Sequence, residues 1–145
     1  MIRKAMMLTS LLPLLMCGGP KEETGDEVKS AAVEIPTGTT VDDKVSSSGD
    51  PVDWKRFEVE VRTPAKIGIY WDNPDISAEV TLRDIFGGPV GSVVHAKGAP
   101  ADYITAELRD GTYFLEIRAK QGSSVYTVEV LLGEASSNSG VPRPE

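Results

Sequence analysis

Side chains able to do chemistry are few in this 145-residue sequence, and they are widely spaced. One histidine, His95, lies in "SVVHAKG", and one cysteine, Cys17, lies in "LLMCGG". Nucleophilic catalysis needs a nucleophile beside a base that a third group orients. Around the single His there is no G-x-S-x-G, H-E-x-x-H or G-K-S/T element, so the chain is expected to be no enzyme and His95 to be a surface residue near a strand end. Zinc falls with it, because zinc sites take several His or Cys ligands. Calcium takes six to eight oxygens, which acidic loops can supply. Asp50 and Asp53 in "GDPVDW", Asp72 and Asp75 in "WDNPD", and the pair Asp42-Asp43 are the candidate Ca²⁺ ligands, and no other cofactor is implied. None follows the EF-hand spacing, and carboxylates at such positions also cap turns by accepting nearby N–H groups. The aromatic residues Trp54, Tyr70, Trp71 and Phe114 complete the set. Alternation puts Trp71 on an inward face with Ile67 and Ile69, which leaves Tyr70 and Phe114 outward as candidate ligand-binding residues.

The elements that must position these groups alternate with period two. Phe57, Val59 and Val61 alternate with Arg56, Glu58, Glu60 and Arg62. Ile67 and Ile69 follow the Thr63-Pro64 break, then Val80 and Leu82, a run beginning at Val93-Val94, and Ile104, Ala106 and Leu108. Asp110-Gly111 is a tight-turn signal before Tyr113, Leu115 and Ile117. Lys120 to Ser124 is expected to be a loop, Tyr126, Val128 and Val130 close the pattern, and Val41 to Val45 add a first strand. About eight short strands with one wet and one dry face, and no helix, predict an all-β fold: an antiparallel β-sandwich.

The polar residues 17–37 carry no periodicity and read as a flexible tether, about 25 Å from end to end for some 20 residues. Residues 38–132 form the expected sandwich domain, and residues 133–145 a disordered tail. Net charge is −7, and without residues 1–16, which hold Arg3 and Lys4 and no acid, it becomes −9. An acidic chain with no Lys/Arg run has no footprint for nucleic acid. One cysteine allows no internal disulfide, so stability must come from the β core.

Residues 1–16 have a positive start and an apolar run, Ala5 to Met16, too short to span a bilayer but suited to a signal peptide. The run ends in Leu14-Leu15-Met16-Cys17-Gly18-Gly19, which resembles the lipobox of bacterial lipoproteins; Met16 stands where that family usually has a small residue. The resemblance implies cleavage before Cys17 and acylation of that residue, hence a membrane partner through the lipid and a place in the cell envelope. Gly18 after the cysteine resembles lipoproteins passed to the outer membrane.

The folded part resembles the bacterial pre-peptidase C-terminal domain, a jelly-roll-like β-sandwich. The residues that carry the likeness are Asp50-Pro51-Val52-Asp53-Trp54 leading into Phe57-Glu58-Val59, then Val80-Thr81-Leu82-Arg83-Asp84 with Gly87, and last Leu108-Arg109-Asp110-Gly111-Thr112-Tyr113-Phe114-Leu115-Glu116-Ile117 followed by Tyr126 to Val130. The resemblance implies a non-catalytic accessory module, some of whose relatives bind Ca²⁺ near the start of the sandwich. The expected partner is another envelope protein or a polymer: peptidoglycan, polysaccharide or collagen-like protein.

Overall fold

Among the described residues, eight strands follow that alternation and a ninth, two residues long, precedes them. The computed structural model describes residues 26–133; the expected signal peptide, the acylation site Cys17 and the tail beyond Gly133 lie outside the described residues. The strands are β1 (Val33–Glu34), β2 (Thr40–Ser46), β3 (Val52–Val59), β4 (Thr63–Trp71), β5 (Ser77–Arg83), β6 (Pro89–Val94), β7 (Ala101–Leu108), β8 (Gly111–Gln121) and β9 (Ser123–Leu132). The described residues form no α-helix, only a short 3₁₀ turn at Lys29–Ala31, and none of their helices is long and apolar enough to cross a membrane.

One sheet has the order β1-β3-β8-β5-β6 and the other β2-β9-β4-β7. All pairings are antiparallel except β1 with β3. From β2 onward the chain passes from sheet to sheet with each strand, save for the β5–β6 hairpin. That winding is a jelly roll. Between the sheets, Phe57, Val59, Leu82, Leu115 and Ile117 meet Ile67, Ile69, Ile104, Val128 and Val130 in one core. Each such side chain contributes about 1.5–3 kcal/mol by leaving water. The stacked rings of Phe57 and Tyr113, 5.8 Å apart, extend it.

Three expectations are corrected. Residues 26–37 are not tether: Asp26 and Ile35 are buried, and Val33 and Glu34 pair with Lys55 and Arg56. The Ile35 N–H donates to Arg56 O at 2.8 Å and the Trp54 N–H to Asp26 O at 2.8 Å. Without this segment β3 would be a bare sheet edge with unpaired amides, and Ile35 would leave the core. The loop expected over Lys120–Ser124 shrinks to Gly122, whose φ of +84° lets β8 hand the chain to the opposite sheet in one residue. Val61, expected inward, is exposed because β3 ends at Val59 and the chain has begun to turn.

Candidate functional site

The acidic candidates are split between two environments. Asp72 and Asp75 are exposed in the β4–β5 loop. There Asn73 makes the turn: its N–H donates to Ser124 Oγ (2.9 Å), its Nδ2 to Ser123 O (3.0 Å), and its Oδ1 accepts from the Asp75 N–H (3.2 Å). Asp50 and Asp53, by contrast, are buried. Asp53 begins the inward row Asp53, Lys55, Phe57, Val59 of β3.

Among the described residues the carboxylates that converge are Asp26, Asp43 and Asp53, with one oxygen of each within 4.8 Å of the others. A cation is built into this group. Lys55, fully buried, donates from Nζ to Asp26 Oδ2 and to Asp43 Oδ2. Burial alone would depress the lysine pKa; the bonds to Asp26 and Asp43 outweigh it and raise the value. Asp53 is held differently, with Oδ2 accepting from the Tyr126 hydroxyl at 2.6 Å and Oδ1 buried with no hydrogen-bond partner. Burial pushes its pKa up to about 7, against the lowering effect of the Tyr126 bond and with Asp26 adding to the rise. The same pairing, with burial the largest cause, drives the Tyr126 hydroxyl well above its usual range. The cluster ties three parts of the chain together: the N-terminal segment, β2 and β3, with Tyr126 of β9, the register partner of Asp43, closing it.

His95 is buried, not at the surface. Its Nδ1 lies 2.7 Å from Asp102 Oδ2 and its Nε2 lies 2.8 Å from Pro74 O. Asp102 Oδ2 also accepts from Trp71 Nε1 at 2.7 Å. Both ring nitrogens are therefore spent on structural acceptors, and none is left to activate a nucleophile. The inward row Asp102, Ile104, Ala106, Leu108 of β7 carried the signal that a polar partner waited inside.

Tyr70 and Phe114 do point outward, but from opposite sheets. Phe114 of β8 is half-buried because Lys29 of the N-terminal segment sits over its ring, with Nζ 4.5 Å from the centroid. Beside it Glu116 accepts from Arg83 (2.7 Å) and Arg118 (2.5 Å), bonds that hold its pKa below the ordinary value although burial would raise it. Trp54, half-buried, is the cross-strand neighbour of Glu116. Around Phe114 and Trp54 this outer face is covered by its own residues.

The other outer face is open. Tyr70 is 37% exposed, and Tyr103, which the sequence reading did not single out, is 49% exposed. Their rings meet edge to face, 6.1 Å apart at 88°, an arrangement worth about 0.5–1.5 kcal/mol beyond area. Gly68 lies between them in the register, opposite Tyr103 on one side and Glu129 on the other. A Cβ at Gly68 would stand 3.0 Å from the Tyr70 hydroxyl and 3.1 Å from its ring. The missing side chain is what lets Tyr70 lie down on the sheet as a floor, with Tyr103 as a wall. Lys66 Nζ sits 4.9 Å from the Tyr103 centroid, and Thr127 and Asp42, joined at 2.6 Å, border the face on the β9–β2 side. The face offers apolar area, hydroxyl donors and charges of both signs, Lys66 against Asp42 and Glu129.

No protein-family profile matches the chain, and no curated protein matches it. Among solved structures, the pre-peptidase C-terminal domain of collagenase from Bacillus anthracis superposes with a TM-score of 0.59 at 18% identity, covering 68% of this chain and 93% of that one. A surface-associated copper-binding protein important in copper acquisition by Methylomicrobium album BG8 gives 0.49 at 11% identity, over 68% and 96% of the two chains. A periplasmic inhibitor of g-type lysozyme from Aeromonas hydrophila gives 0.44 at 8%, over 70% and 95%. At 18% identity, the likeness to the collagenase domain is one of fold.

Proposed function

We propose that this chain is a non-catalytic binding module, held in the cell envelope by a lipid on Cys17, that presents the Tyr70–Tyr103 face to an envelope protein. The observation that supports this reading is the floor and wall those rings make over Gly68. Tyrosines with an apolar body and a polar tip, rimmed by scattered charge, are the composition of protein-binding hot spots. A glycan polymer is the second reading, favoured by the flat lie of the Tyr70 ring on the sheet, since a sugar stacks on one open ring face. The destination of the anchored chain in this reading is the outer membrane.

Two measurements test it. Tyr70→Ala and Gly68→Ala should each abolish retention of a crosslinked envelope partner, or of the chain on purified peptidoglycan or polysaccharide, while leaving the melting temperature within a few degrees. Gly68→Ala is the sharper variant, because it keeps both rings and only lifts Tyr70 off the sheet. Unchanged retention in both would remove this face from the function. For the anchor, Cys17→Ala should shift the processed chain from the membrane fraction to the soluble one; retention of the processed variant in the membrane would refute acylation at that residue.

A further inference from the structure

The β5–β6 hairpin is built to hold two large apolar side chains in water. Asp84 Oδ1 accepts from the N–H groups of Phe86 (2.9 Å) and Gly88 (2.8 Å). The Asp84 N–H donates to Gly88 O (2.9 Å), and the Gly87 N–H to Asp84 O (3.0 Å). From outside, Arg83 Nη1 donates to Gly87 O (3.0 Å) and Lys29 Nζ to Ile85 O (2.6 Å). A turn so tightly bonded has little freedom to fold its tip back onto the sheet, and Phe86 stays 94% exposed, with Ile85 beside it at 54%. An adjacent apolar pair fixed at a tip is a surface awaiting a partner.

The length of the leash says which partner. Cys17 lies nine residues before Asp26, the first described residue and a buried one, so a lipid there is within about 30 Å of Asp26 even at full extension. The earlier expectation of a leash of some 20 residues does not survive the packing of residues 26–37. Lys29 follows three residues after Asp26 and touches the hairpin, which puts the tip within roughly 20 Å of Asp26. We propose that Ile85 and Phe86 seat in the bilayer that holds the lipid, with Lys29 and Arg83 level with the phosphates. This inference rests on acylation at Cys17. A short leash keeps the tip at high effective concentration over the bilayer, so a contact too weak to bind a free protein is occupied in the anchored one. Asp72 and Asp75 lie in the β4–β5 loop at the opposite end of the sandwich, while Glu60 and Asp110 share the hairpin's end.

The test uses the full-length chain purified from membranes and reconstituted in vesicles of phosphatidylethanolamine and phosphatidylglycerol. Phe86→Cys and, at the other end, Ser47→Cys are labelled with an environment-sensitive maleimide, and brominated lipid is added as quencher. The expected result is a blue-shifted, quenched probe at position 86 and a water-like, unquenched probe at position 47. A water-like probe at 86, or equal quenching at both positions, would overturn the inference with the anchor intact. The parent chain, treated alike, reads the anchor separately: an acylated Cys17 takes no label, whereas a labelled parent overturns the anchor and the inference with it.

Discussion

Lys55→Met should cost about 3–5 kcal/mol, the range for removing one partner of a buried ion pair. In a domain whose whole stability is roughly 5–15 kcal/mol, that lowers the melting temperature by more than about 10 °C at pH 7. The cause is less the lost bonds than what remains: Asp26 and Asp43, facing each other and Asp53 with no cation between them. Two readouts separate this account from a packing defect. Acid should partly restore the variant, because protonating the carboxylates removes the uncompensated charge. Adding Asp26→Asn and Asp43→Asn to Lys55→Met should also recover much of the loss, since deleting a whole ionic group is often close to neutral. A variant that melts equally low at pH 4 and pH 7 would show that charge is not the cause.

Asp53→Asn should act in the opposite direction. The Asp53 carboxyl titrates near 7 in the fold against 3.8 in the unfolded chain. The folded state therefore holds the proton more tightly, and the contribution of this group to stability falls as pH rises from about 4 to 7 and is flat above. With 1.36 kcal/mol per pH unit, the full difference is on the order of 4 kcal/mol. Asparagine keeps an acceptor for the Tyr126 hydroxyl and offers its NH₂ where Asp53 Oδ1 has no partner. Urea melts should find the variant close to the parent at pH 4 and more stable by several kcal/mol at pH 8. Parallel stability curves for the two proteins would sink the assignment, and a less stable variant at pH 8 would mean that the Asp53 charge is itself a needed partner of Lys55.

The strands were readable because apolar alternation is a local signal: Phe57 with Val59, Tyr113 with Leu115 and Ile117, and Tyr126 with Val128 each declare their inward face. The polar groups inside were not readable in that way. Lys55 and Asp53 share the row of Phe57, yet a lysine in such a row makes sense only once Asp26, 29 positions earlier, is known to reach it. His95 and Asp102 repeat the lesson across the β6–β7 connection. The N-terminal segment was missed because two residues of strand and one buried isoleucine make no period. On the open face, alternation places Tyr103 outward, but that it stands opposite Gly68 and beside Tyr70 depends on the pairing of β4 with β7, which sequence spacing does not specify.

The clasp of Asp26 on Lys55 has a mechanical side. A pull on the chain ahead of Asp26 meets the sandwich first at that ion pair, next at the Lys29 contacts with Ile85 and Phe114, and then at the two-residue β1 ladder, before it loads any longer strand. Should these let go, the fourteen residues from Asp26 to Thr39 are freed ahead of β2, roughly 50 Å of contour. In a chain acylated at Cys17 as proposed, the Asp26–Lys55 pair thereby sets how far from its lipid the domain can stand.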